Sequence, residues 1–184
     1  MFRRPRRPGI IRTAVNAAEI DAVQQANQLR AAGRPAESGA AFARLAQEME
    51  AAAHPRRAAN LHAQAAHAFA DARAEAPALA QAQAALRLFI RFQMLERTHA
   101  FYGNITRKLQ AGGLASALNA LQSEFAPQAG QQQPLGPGET PAVARGRLPA
   151  ACPQCGGPAR SDEVDWIDAN SAECPYCGAV IQTS

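Results

Sequence analysis

Four cysteines are spelled in two matching frames, CPQCG at 152–156 and CPYCG at 174–178, within the last 33 residues of a 184-residue chain. Two thiols at i and i+3 in one tight turn can aim both sulfurs at a single ion. The intervening proline fixes the first φ of the turn, and the following glycine permits a positive φ. Two such turns facing each other complete a tetrahedral site of four sulfurs. Four thiolates leave no open position for water or substrate, so the chemistry expected of Cys152, Cys155, Cys174 and Cys177 is structural. Disulfides fit poorly, because no secretory leader is evident and paired knuckles have no disulfide rationale. A redox Cys-x-x-Cys would need a βαβ setting that the surrounding sequence lacks.

This spelling resembles a zinc ribbon, which implies one structural Zn²⁺ held by all four cysteines. Rubredoxins are similar in using two Cys-Pro-x-Cys-Gly turns around iron, but they embed them in a larger aromatic core. Here only Trp166 and Tyr176 are offered. Zinc is therefore expected, with a rubredoxin-like iron electron carrier as the rival. Between the knuckles, Val164 and Trp166 alternate onto one face of a short strand. Asp168-Ala169-Asn170 supplies a turn, and Val180-Ile181 a further strand. So small a unit cannot fold on apolar burial alone, so metal binding supplies most of its stability.

The rest of the chain must position that unit. It holds 45 alanines and only ten aromatic residues, a composition for closely packed helices and against a β-sandwich or barrel. Turn formers at Gly33-Arg34-Pro35, His54-Pro55, Pro77 and Gly112-Gly113 predict six helices, near 16–32, 35–52, 55–75, 77–96, 98–111 and 114–125. Leu114, Leu118, Leu121 and Phe125 stripe the last of these, and Phe101, Ile105 and Leu109 the fifth. The fourth is apolar nearly all round and is expected at the centre of the stack. Gly33, Pro77 and Gly112 are each followed by a small residue at +5 and large ones at +9 or +12, an internal repeat spaced by 44 and 35 residues. With the stretch LRAAGRPAESGAAFARL at 29–45, this resembles the tetratricopeptide repeat, a family of stacked antiparallel helix pairs with a usual period of 34. The resemblance implies a mainly α fold, a helical hairpin stack followed by a small β ribbon, and a concave surface for protein partners.

Four segments follow: an Arg/Pro-rich arm at 1–15, the helical domain at 16–125, a Pro/Gly/Gln linker at 126–150 and the ribbon at 151–184. The net charge of +4 is unevenly spread. The first twelve residues carry +5 and the ribbon −4. Four thiolates on a divalent ion would make the ribbon more negative still, so it should repel phosphate backbones. Arg3, Arg4, Arg6 and Arg7 of the arm are the candidates for nucleic acid, an anionic surface or the acidic ribbon itself. No phosphate loop, dinucleotide fingerprint, nucleophile elbow or His-Glu-x-x-His occurs. His62 and His67, five apart, are expected on the surface or in a groove. No run reaches the roughly 18 apolar residues of a membrane span. The missing motifs argue against an enzyme, and the two resemblances together imply a non-catalytic adaptor with protein partners, expected to be bacterial and cytoplasmic. Arginine outnumbering lysine eighteen to one, with the alanine bias, is the ground for a bacterial source. A nucleic-acid-associated factor acting through the arm is the alternative.

Overall fold

The computed structural model describes residues 17–130, 146–161, 164–166, 168–174, 176 and 179–183. Among the described residues six helices make the fold mainly α: α1 (Ala17–Ala31), α2 (Pro35–Ala51), α3 (Pro55–Asp71), α4 (Glu75–Arg91), α5 (Leu95–Ala111) and α6 (Ala115–Gly130). Helix starts from α2 onward fall at 35, 55, 75, 95 and 115, a period of 20 residues rather than the 44 and 35 read from the sequence.

One turn geometry, used five times, sets that period. The residue ending each turn donates its N–H to a carbonyl five residues back: Arg34 to Leu29, His54 to Met49, Ala74 to Phe69, Met94 to Phe89 and Leu114 to Leu109, at 2.8–2.9 Å. The residue before it adopts positive φ and bonds three back, which together is a Schellman closure. The same junction residue then offers its carbonyl to the next helix, as when Ser38 donates to Arg34 or Ala58 to His54. Gly33 and Gly113 take the left-handed position without cost, but Ala53, Arg73 and Gln93 occupy it at φ +58, +54 and +54. The closures at Arg73 and Gln93 carry no glycine; the second has no turn former beside it, and Pro77, read as the start of the fourth helix, lies within the first turn of α4. α4 and α5 accordingly begin at Glu75 and Leu95, two and three residues before the expected starts.

Packing follows side-chain size. α3 is the most enclosed helix, with eleven buried residues, seven of them alanine, and it packs against α2, α4 and α5. The expected central helix, α4, buries Ala78, Ala82, Ala85, Leu86 and Phe89 and leaves Leu79, Leu88 and Ile90 partly exposed. Alanine lets neighbouring backbones approach, so the helix with the smallest side chains goes deepest. Gly39 of α2 serves the same end: a β-carbon there would lie 2.9 Å from the Phe69 ring of α3.

α1, α3 and α5 are tied along one side. Asp71 of α3 accepts Arg30 of α1 at 2.7 Å and Lys108 of α5 at 2.6 Å. Burial alone would raise the Asp71 carboxyl, but hydrogen bonds and charge from Lys108 and Arg30 together outweigh it and hold it below its usual range. On the other side, Arg87 and Gln83 of α4 both bond Glu124 of α6. His62, expected on the surface or in a groove, is instead buried on α3 between Gln81 of α4 at 2.6 Å and Glu50 of α2 at 3.2 Å.

The carboxy-terminal region adds a three-stranded antiparallel sheet in the order β1 (Asp165–Trp166), β2 (Ser171–Glu173), β3 (Val180–Gln182). Ala172 faces Trp166 on one side and Ile181 on the other. The Asp168–Asn170 turn between β1 and β2 forms as expected, with Asn170 donating to the Asp168 carboxylate at 2.8 Å. Hydrogen bonds from Ser171 and Asn170 lower the Asp168 carboxyl below its ordinary value. No helix among the described residues is long and apolar enough to cross a membrane.

Candidate metal centre

The first knuckle is a loop closed at its neck by a bridge between Ala151 and Pro158. Within it Cys152 donates its N–H to the Gly157 carbonyl at 2.7 Å, and Gly156, at φ +70, donates to the Cys152 carbonyl at 2.9 Å. The positive φ assigned to the glycine of CPQCG is thus where that spelling places it. The second knuckle springs from the β2–β3 hairpin. Cys174, immediately after β2, donates to the Ala179 carbonyl at 2.8 Å, just before β3. In both frames, then, the first cysteine bonds the carbonyl five residues on. Two loops of equal spelling have the same closure.

Cys152, Cys155 and Cys174 are all at least 98% buried, and their sulfurs lie within 4.8 Å of one another. The Sγ atoms of Cys155 and Cys174 are 3.8 Å apart, nearly twice a disulfide bond. An ion with four sulfurs at about 2.3 Å in a tetrahedron sets each sulfur about 3.8 Å from the next. This trio could therefore hold a metal ion. Cys177, the fourth expected ligand, lies outside the described residues, as do Arg3, Arg4, Arg6 and Arg7 of the arm and residues 131–145 of the linker.

The helices take a direct part in holding these loops. Gln24 of α1 donates its side-chain amide to the Gln154 carbonyl, and Asn27, one turn on, donates to the Cys155 carbonyl at 3.2 Å. From α3, Gln64 donates to the Tyr176 hydroxyl at 2.9 Å. Tyr176 in turn rests on the first knuckle, where a β-carbon on Gly157 would stand 2.5 Å from its ring. One buried cluster runs from Val23, Phe42 and Leu61 through to Cys152, Cys155, Cys174, Tyr176 and Ile181. The knuckles thus share a core with α1, α2 and α3 instead of hanging from a tether. Gln24, Asn27 and Gln64 escaped the sequence reading, because polar residues on helices carry no signal of what lies more than a hundred positions away.

Compared with known proteins, the chain matches no family model, no curated protein and no solved structure.

Proposed function

We propose that this is a non-catalytic zinc-binding protein, with one Zn²⁺ held by Cys152, Cys155, Cys174 and Cys177, whose helical stack and ribbon serve protein–protein contacts in the cytoplasm. The observation that carries it is the trio of buried sulfurs, all within 4.8 Å of one another, with the Cys155–Cys174 pair at the 3.8 Å separation of a tetrahedral sulfur site. The matching closures of the two knuckles support Cys177 as the fourth ligand, since it occupies in CPYCG the place of Cys155 in CPQCG. Sulfur ligation favours zinc over harder ions, and a saturated shell makes the ion a fastener and not a Lewis acid. When bound it supplies cohesion: the residues around it close the loops, exclude water and dock the result on α1 and α3.

The helical domain is proposed as a hairpin stack of the tetratricopeptide kind, with a pair period of 40 residues where that family uses 34. Its role in this chain is partly internal, because Gln24, Asn27 and Gln64 on the odd-numbered helices are engaged by the chain's own ribbon. A partner would meet a composite surface of helices and knuckles. Metal analysis of the purified chain tests the central claim: one zinc per chain is expected, falling below about a tenth in Cys174→Ser and Cys177→Ser. Zinc retained in full by Cys177→Ser would remove the fourth ligand; a red protein with visible absorption would make the ion iron.

A further inference from the structure

The two knuckles are carried by different helices. Gln24, Asn27 and Arg30 stand at successive i+3 positions along one side of α1. The first two donate to the Gln154 and Cys155 carbonyls, so α1 grips the first knuckle by two consecutive peptide groups. The second knuckle is held from α3, where the Gln64 amide nitrogen donates to the Tyr176 hydroxyl at 2.9 Å. Chemistry dictates how these amides face. A carbonyl only accepts and a guanidinium only donates, so Asn27 must present its nitrogen to Cys155 and Gln64 its oxygen to Arg30.

Arg30 joins the two carriers. Its Nη1 donates to the Gln64 amide oxygen at 3.4 Å and its Nη2 to the Asp71 carboxylate at 2.7 Å, both on α3. A path therefore runs from Cys155 to Asn27, along α1 to Arg30, across to Gln64 and on to Tyr176. Tyr176 closes it onto the first knuckle: a β-carbon on Gly157 would stand 2.5 Å from the Tyr176 ring and 3.3 Å from the Cys155 sulfur. Cys155 and Cys174, whose sulfurs are 3.8 Å apart, belong one to each knuckle. Ligands brought to their working separation before the ion arrives bind it more tightly than ligands that must be gathered.

We propose that Asn27 and Gln64 are positioning residues of the metal centre, each fixing one knuckle to its helix, so that the spacing of α1 and α3, locked by Arg30, holds the sulfurs ready for the ion. This rests on the reading of the cysteines as metal ligands. Removing either amide lets the knuckles part and lowers metal affinity without loosening the helices.

The full chain is titrated with Zn²⁺ against a competing chelator, and separately with Co²⁺, whose visible spectrum reports the geometry of thiolate ligation. Metal content of the native chain is measured first. A native chain without metal would remove the ligand reading and this inference with it; once the native chain is loaded, the variants bear on the inference alone. Asn27→Leu and Gln64→Leu are each expected to lose about tenfold in Zn²⁺ affinity and to shift the Co²⁺ spectrum, with the helical circular dichroism and melting of the metal-stripped chain unchanged. Asn27→Asp, the same shape without a donor, should fare no better than Asn27→Leu. Combined, the two Leu substitutions should cost far less than the product of the single losses, because one open arm already frees the pair. Tyr176→Phe opens the α3 arm from the ribbon side, and takes the place of Gln64→Leu should that variant lose its helical signal. Native affinity with an unchanged Co²⁺ spectrum in Asn27→Leu, native affinity in Asn27→Asp, or single losses that simply multiply would each overturn the proposal.

Discussion

In the helical stack every closure is made by backbone alone, as when His54 bonds Met49 or Met94 bonds Phe89, and each is repeated at the next turn. In the ribbon the strands are two or three residues long, and the buried side chains include three cysteines. The stack distributes its stability over five equal joints and an alanine-lined core; the ribbon concentrates it at one point. Such a contrast teaches where each region should fail. A stack made of repeated local contacts loses a joint and keeps its shape, whereas a ribbon deprived of its ion has too little apolar surface to hold.

The largest effect should therefore come from the metal. Structural zinc is worth about 10–16 kcal/mol in small domains, and a strong chelator or Cys152→Ser should melt the ribbon while helical circular dichroism is largely retained. Trp166 fluorescence reports the first and ellipticity at 222 nm the second. A ribbon signal that survives complete metal removal would erase the contrast. Next comes the shared core. Leu61→Ala, at a fully buried position of α3 in the cluster that reaches the cysteines, should cost about 2–5 kcal/mol. Because the core is common, its thermal melt should shift together with the concentration of chelator needed to strip the metal. Independent movement of the two would show that the regions are joined only by chain.

A smaller effect concerns pH. Burial first, and then the charges of Lys108 and Arg30, keep His67 neutral in the fold down to about 4, while an exposed imidazole protonates near 6.5. Below 6.5 the unfolded chain binds the proton first, so this residue's contribution must decline as pH falls from 6.5 toward 4. Subtracting the stability–pH curve of His67→Gln from that of the native chain, at fixed metal load, isolates it. Parallel curves across that window would deny the burial assigned to the ring. The smallest effects should be gains: Ala53→Gly, Arg73→Gly and Gln93→Gly each relieve a left-handed residue and should stabilise the stack by about 0.5–1 kcal/mol. Thermal unfolding checks this, and a loss at any of the three would mean that the side chain does more for the joint than its strain takes away.

The same contrast explains what the sequence disclosed. Six helices were legible, and their starts were accurate to within one residue at Pro35, Pro55 and Gly112-Gly113, but not at Pro77, which lies inside the first turn of α4. Joints at Arg73 and Gln93 were misplaced, because nothing in those side chains announces a left-handed backbone. Yet a subtler mark was present: Leu29, Met49, Phe69, Phe89 and Leu109 place a large apolar residue at every twentieth position, the residue whose carbonyl closes each turn. The burial of α3 was hidden by the small size of its alanines. For the site, the cysteine frames were explicit, since ligand spacing is local. The docking of the knuckles on α1 and α3 was not, since it runs through Gln24, Asn27 and Gln64, residues indistinguishable in type from solvent-facing neighbours.

The constant length of helix plus joint restricts how such a chain can change in evolution. One unit of twenty residues carries the polypeptide across and leaves the next helix on the opposite side. Inserting or deleting a single unit between α1 and α3 would exchange the parity of every helix beyond it, and would turn Gln64 away from Tyr176. Only steps of forty preserve parity, so duplications that keep this architecture should arrive as pairs.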